Sequence, residues 1–261
     1  MTVADLLIEI HTEELPPKSL LKLAKAFEEQ IGERLRKAQL SFSGTKFYAT
    51  PRRMAVYVKA LAKAQPDQVI ERKGPALAAA FDASGKPTPA CSGFARSCGI
   101  EPSELITLKT PQGEWVGYKQ KVEGSTIFAL MPDLIEQSLQ QLPIAKRMRC
   151  GSGSTEFVRP VHAVTLLYGN EVIPATILNC KTDRKTRGHR FHAPNWLTIP
   201  GANEYADVLK TGFVVADFAE RKEHIQQAIQ HTLATTLSQA AQPILISALL
   251  DEVTNLVEWP V

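Results

Sequence analysis

The strongest constraint on the fold of this chain is the join between its first two segments. Leu6–Ile10, LLIEI, reads as a strand from its branched residues, and the chain then turns through HTEELPP. Pro16 and Pro17 stand where prolines open a helix, because the missing N–H is unneeded in a first turn. Leu20, Leu23, Phe27, Ile31 and Leu35 then recur at helical spacing, which predicts a helix to about Ala38. A strand followed directly by an amphipathic helix already points to a mixed architecture of strands and helices.

The later segments repeat the mixture. RRMAVYVKAL alternates at Met54, Val56 and Val58 as a strand does, and QVIERKGP reads as another strand ended by Gly74 and Pro75. A turn-rich stretch follows, with a short helix expected over Cys91–Ser97. ELITLKT and EWVGYKQKV form a hairpin around PQG. The next helix runs to Leu142 and either begins or kinks at Pro132. RPVHAVTLLYG and EVIPATIL predict a second hairpin turning at Gly169-Asn170. Beyond it come a helix near Asn203–Lys210, a strand FVVA, and a helix capped by Asp217 with Glu220 as reciprocal partner. Phe218, Ile225, Ile229 and Leu233 form its expected buried stripe. Antiparallel hairpins, mixed sheets and packed helices make the fold class α+β.

The two halves also rhyme. TPRRMAVYVKAL is echoed by VRPVHAVTLLYG, and Phe81, Ala83 and Thr88 match Phe191, Ala193 and Thr198 at a constant offset of 110. Either an internal duplication into two similar lobes or convergence of loops explains this. The expected organisation is an α+β lobe over residues 1–142, a second over 143–240, and the start of a helical region over 241–261.

An apolar share of 44% supplies a core. Cys91, Cys98, Cys150 and Cys180 form no CxxC pair, which suits unpaired thiols in a reducing compartment. No basic leader precedes the first apolar run and no run approaches a membrane span, so a cytoplasmic protein without signal peptide is expected. Charge is uneven. Residues 144–190 hold nine Lys/Arg against Glu156, Glu171 and Asp183, a net of +6, leaving −3 for the rest of a chain of formal charge +3. Such a block fits a polyanionic partner or simply a solvated face.

KTRGHRFHAP, Lys185–Pro194, concentrates the candidate chemistry. On a strand His189 and His192, at i and i+3, face opposite ways and could not share an ion, and no third ligand stands at metal spacing, so no metal site is expected. No nucleophile elbow or Ser/Cys–base pairing is recognisable, and GSGS at Gly151–Ser154 lacks the lysine of a phosphate loop and reads as a turn. No catalytic residue is assigned. Polyanion binding is the fuller reading: Arg187 and Arg190 offer planar forks, Gly188 a close backbone approach, and Phe191 a stacking face, with His189 beside them. Arg52, Arg53, Lys146, Arg147 and Arg149 would join them if folded onto one face. The alternative is that Phe191 is core and the arginines pair with Glu13 and Glu14, which at their strand-to-helix turn have the form of catalytic carboxylates but equally of a partner contact, a turn contact or a cap, the cap being the commonest fate.

Long collinear strings carry a resemblance: LLIEIHTEELPPKSLLKLAKAFEEQI, FYATPRRMAVYVKAL, GFARSCGI, LPIAKRMR, EFVRPVHAV, EVIPATIL, TRGHRFHAP and LLDEVTNLVEWPV. Together they resemble the N-terminal part of the β subunit of bacterial heterotetrameric glycyl-tRNA synthetase, over essentially the whole chain. His11 stands where that family usually has Gly, and Cys150 where it usually has Trp. The resemblance implies a ligase joining glycine to tRNA-Gly, with ATP and Mg²⁺ used at the α subunit and no cofactor in this portion. It implies support of tRNA binding and α-subunit assembly here, a module similar to B3/B4 of the phenylalanyl enzyme, and HD-like and anticodon-binding regions further along a longer chain. Ending inside LVEWPV, the sequence then reads as an N-terminal piece without catalysis of its own. A protein-only assembly scaffold and a relic editing hydrolase are the alternatives. Editing is the weaker, since steric clash alone excludes amino acids larger than glycine.

Overall fold

The computed structural model describes residues 2–82, 84–111, 113–149, 155–236, 243–244 and 246–260. GSGS, Cys150 and Ala83 lie outside them. In chain order the elements are β1 (Val3–Thr12), α1 (Pro17–Lys37), β2 (Gly44–Thr50), β3 (Arg53–Ala62), β4 (Gln68–Ala76), α2 (Leu77–Ala80), α3 (Pro89–Cys98), β5 (Ile106–Thr110), β6 (Gly113–Val122) and α4 (Ile127–Gln140). They continue with β7 (Met148–Arg149), β8 (Glu156–Phe157), β9 (Val161–Tyr168), β10 (Glu171–Val172), β11 (Thr176–Ile177), β12 (Cys180–Asp183), β13 (Lys185–Arg187), β14 (Trp196–Thr198), α5 (Tyr205–Thr211), α6 (Phe218–Thr236) and α7 (Ser247–Thr254). The fold is α+β, as expected.

The chain divides into two compact units, residues 1–64 with 125–261, and residues 65–124. The smaller unit is a three-stranded antiparallel sheet, β4-β6-β5, closed by α2 and α3 over Ala80, Cys91 and Val116. The larger unit is built on a seven-stranded sheet in the order β11-β12-β9-β1-β3-β2, with β10 also on β9. Its strands come from both of the lobes expected at 1–142 and 143–240.

β1 lies in the middle of this sheet, and both faces are covered. On one face, Leu6, Ile8 and Ile10 pack with Leu20, Leu23, Phe27, Ile31 and Leu35 of α1 and Ile127, Met131, Ile135 and Leu139 of α4. On the other, Leu7 packs with Tyr48, Ala55, Leu167, Tyr205, Leu209 and Val214. The α1 stripe is thus the one its spacing predicts, and burial of each such side chain stabilises by roughly 1.5–3 kcal/mol. β3 and β9 flank β1, both antiparallel to it. Met54 and Val164 both oppose Ile10, Val56 and Leu166 oppose Ile8, and Val58 and Tyr168 oppose Leu6. The offset is again 110. It ends with the strands, for Thr88 caps α3 whereas Thr198 closes β14.

Several expectations fail for identifiable reasons. EVIPATIL does not complete a long hairpin: β10 is two residues, and beyond Pro174, which lacks an N–H, β11 pairs with β12 instead. α4 begins at Ile127 and carries Pro132 inside it. FVVA is no strand, although Val215 N donates to Glu258 O at 2.9 Å and Ala216 O accepts from Ala49 N at 3.3 Å. Asp217 does cap α6, accepting from the N–H groups of Ala219 and Glu220. Glu220 does not reciprocate; its carboxylate pairs with Lys210 at 2.8 Å. Of the predicted α6 stripe only Ile225 is buried, because Arg221 takes the inner position and donates to the carbonyls of Ala49, Val215 and Thr254.

Candidate functional site

The loops at one end of the large sheet converge. Where β1 ends, Thr12 N donates to Arg52 O and Leu15 N to Pro51 O, so the turn entering β3 lies against the turn leaving β1. Glu13 N donates to Pro160 O, which adds the entry to β9. The β13–β14 hairpin loop covers the same end. It brings Arg187, Arg190 and Trp196 to a cleft of about 370 Å³ shared with His11, Glu13, Arg52, His162 and Gly188. A neighbouring cleft of about 460 Å³ is lined by Glu14, Arg52, Arg159, His189, Arg190, Phe191 and the segment 255–259.

Beneath these clefts lies a wholly buried polar network. Arg53 is fully buried and donates from Nη2 to Glu258 Oε1 (3.3 Å) and from Nε to Thr50 Oγ1 (3.2 Å), while its Nη1 lies 3.7 Å from Glu9 Oε2. Glu9, also fully buried, accepts from Thr186 Oγ1 and from the Tyr205 hydroxyl, both at 2.6 Å. Burial opposes the charge on Arg53, but Glu258 and Glu9 outweigh it and raise its pKa. Burial and the Glu9 carboxylate push the Tyr205 hydroxyl well above its ordinary range. Arg53 is therefore unavailable to a polyanion. It is the first residue of β3, whereas Arg52 precedes it in the turn and lines the cleft.

At the surface the arrangement is cationic and only partly paired. Arg52 Nη2 lies 3.8 Å from Glu13 Oε2, and His162 Nε2 lies 2.9 Å from Glu13 Oε1. Burial pushes the Glu13 carboxyl up, but the His162 hydrogen bond and the Arg52 charge outweigh that and lower its pKa. Arg190 approaches Glu14 at 3.7 Å. Arg187 donates to the carbonyl of Pro194 at 3.0 Å and stacks over Trp196 at 4.1 Å, and among the described residues it has no salt-bridge partner. Arg52 and Arg190 do meet Glu13 and Glu14, as the alternative expectation has it. Phe191 is not core, being 81% exposed.

The histidines need correction. Residues 188–193 form a turn rather than a strand, and the His189 and His192 rings come within 4.5 Å of each other. The strand argument against a shared ion therefore does not hold. Among the described residues, no group of three or more His, Cys, Asp or Glu side chains could hold a metal. His189 closes the turn instead: its Nδ1 accepts from the N–H groups of Phe191 and His192, each at 3.3 Å. That requires a neutral ring protonated at Nε2, and burial lowers its pKa accordingly. Gly188 is needed for internal packing, since a Cβ there would lie 2.6 Å from Ala193 O and 3.0 Å from Gly212 O. His189 N donates to Gly212 O at 2.7 Å, which holds this close approach.

The KRMR run lies apart from the two clefts. Arg147 donates to the carbonyls of Leu139 and Gln140 at the end of α4 and lines a separate depression with Glu156. Arg149 pairs with Glu156 at 3.5 Å, and Lys146 is exposed. Sequence reasoning passed over Arg159, His11, His162 and Trp196 at the clefts, and the buried Glu9, Tyr205 and Glu258. A carboxylate inside the apolar run LLIEI was the one visible signal for Glu9. No helix among the described residues is long and apolar enough to cross a membrane.

Comparison with known proteins places these features in one family. The glycyl-tRNA synthetase beta subunit family matches residues 6–261. The glycine–tRNA ligase beta subunit of Hahella chejuensis is 50% identical over the whole chain, and that of Marinobacter nauticus 49%. That of Klebsiella pneumoniae is 47% identical over 98% of the chain. The chain spans 37–38% of the length of these curated relatives. With a match running from β1 through α7, the chain belongs to the glycyl-tRNA synthetase beta subunit family.

Proposed function

We propose that this chain is the N-terminal part of the β subunit of a cytoplasmic glycine–tRNA ligase and contributes tRNA binding and α-subunit assembly. Attachment of glycine to tRNA-Gly, with its ATP and Mg²⁺, then belongs to the α subunit, and this portion supplies no cofactor. Collinear similarity from residue 6 to residue 261 carries the reading. The surface that best suits RNA is the double cleft, where Arg52, Arg159, Arg187 and Arg190 line one end of the sheet with Phe191 and Trp196 exposed beside them. Guanidinium forks suit phosphates, and exposed aromatic rings suit unstacked bases.

The test is tRNA affinity of the assembled ligase carrying Arg187→Glu together with Arg190→Glu. The expected result is at least a tenfold loss with a shallower dependence on salt, because phosphate contacts release counterions. Unchanged affinity overturns the RNA role. It would leave the scaffold reading, which the pairing of Arg52 with Glu13 and Arg190 with Glu14 favours. Retention of the α subunit by the charge-reversed protein in the absence of tRNA separates the two roles.

A further inference from the structure

The smaller cleft contains a side chain that the packing leaves without a partner. His11 is 2% exposed and lines the cleft floor, and neither ring nitrogen has a hydrogen-bond partner among the described residues. A buried polar group in that state is expensive unless something meets it. Its surroundings define what that something is. His11 has Arg52 and Arg187 beside it at the cleft wall, Arg190 at the rim, Arg53 beneath, and the His162 ring 6.1 Å away. Glu13 is the one carboxylate of the cleft lining, already engaged by His162 and Arg52. Among the described residues Arg187 has no carboxylate partner, so the cleft retains unopposed positive charge with a bare ring at its base.

We infer that this cleft is a phosphoryl-binding site, in which His11 donates one ring N–H to a phosphate oxygen while Arg187 and Arg52 hold the remaining oxygens. The source of the phosphoryl group is a phosphodiester of an RNA strand or a free phosphate ion. The RNA source rests on the function proposed above; the site itself does not.

Two features give the role of His11 its own signature. Burial and the charges of Arg53 and Arg52 hold its pKa down to about 2, so the ring is neutral at any working pH. It therefore contributes a hydrogen bond and no charge, whereas Arg187 contributes both. Removing His11 should weaken binding without altering the salt dependence, and removing Arg187 should alter both.

The experiment titrates the 261-residue chain calorimetrically with inorganic phosphate and, separately, with oligouridylate, between about 50 and 200 mM KCl. The ring resonances of His11 are followed in parallel. Binding of oligouridylate that moves those resonances, weakens about tenfold in His11→Phe at unchanged salt slope, and loses roughly 0.7 from the slope in Arg187→Gln supports the site with RNA as its source. The same losses for inorganic phosphate, with oligouridylate no tighter than the ion, support the site with a free anion as source. His11→Gln, which keeps a donor, should recover part of the loss. Two results overturn the inference: neither ligand moves the wild-type His11 resonances, or both variants bind like the wild type. The resonance readout needs no variant to fold. If the cleft fails these tests while the assembled ligase still loses tRNA through Arg187→Glu/Arg190→Glu, the inference falls and the proposed function stands.

Discussion

Arg52 and Arg53 are neighbours in sequence and opposites in environment. Arg53 points into the large unit, where Glu9 and Glu258 neutralise it and Thr50 and Thr186 fill its remaining hydrogen-bond directions. Arg52 points into a cleft that holds more guanidinium than carboxylate. A buried charge is tolerated only with partners supplied from the same chain, so the inner arginine is fully committed. The outer arginines answer to solvent, where excess charge carries little penalty and is free to meet a ligand. The inner cluster therefore belongs to stability, and the recognition role proposed above falls to the outer one.

Arg53→Ala is the largest test of that distinction. It strands two buried carboxylates and should destabilise by about 3–5 kcal/mol in urea unfolding. A loss under about 1 kcal/mol would mean that Glu9 and Glu258 are neutral or solvated and that the inner cluster is not an ion-pair network.

Gly188→Ala probes the scaffold beneath the outer cluster. The added Cβ meets Ala193 O and Gly212 O, and the expected loss is about 1–3 kcal/mol. Because His189 and Gly212 hold the same loop, oligouridylate affinity should fall with it. Intact affinity would show that Arg187 is positioned independently of this close approach.

Asp217→Ala has a smaller effect, about 1 kcal/mol, through loss of the α6 cap. Its pH dependence has a definite sign. Burial raises the Asp217 pKa, but the Lys46 hydrogen bond and the N–H of Glu220 outweigh it and the folded value lies below 3.8. The stabilisation is thus present above pH 3.8 and is lost as pH falls through the folded value, so wild type and variant should converge in strong acid. A difference that persists there would assign the effect to packing rather than to the carboxylate. Arg187→Glu/Arg190→Glu should change stability least of all, by under about 0.5 kcal/mol, despite the large loss of tRNA affinity expected under the proposed function.

Much of this was legible in the residues. The α1 stripe, β3, the β5–β6 hairpin, the turn at Gly169-Asn170 and the Asp217 cap follow from local periodicity and turn chemistry, and local causes have local signatures. The site was legible in part. Arg52, Arg187 and Arg190 share the cleft as their residue types suggested, but Arg53 does not, and KRMR lies elsewhere. Arg52 stands in the turn before β3 and Arg53 is the first residue of the strand, and which of the two faces inward depends on the covering layer from α5 and the segment near Glu258. His189 and His192 were misjudged because their segment is a turn, set by Gly188 packing on Gly212.

Taken alone, the sequence determined the α+β class, most element identities and, through long collinear similarity, the family. Periodicity, caps and motifs are encoded within a few residues of one another. Tertiary structure alone decided that β3 and β9 flank β1, that Glu9 and Glu258, 249 positions apart in the chain, both meet Arg53, and that His11 has no hydrogen-bond partner among the described residues under a cationic cleft. Burial and charge neutralisation depend on which distant segments close over a group, and no local pattern of residues records that.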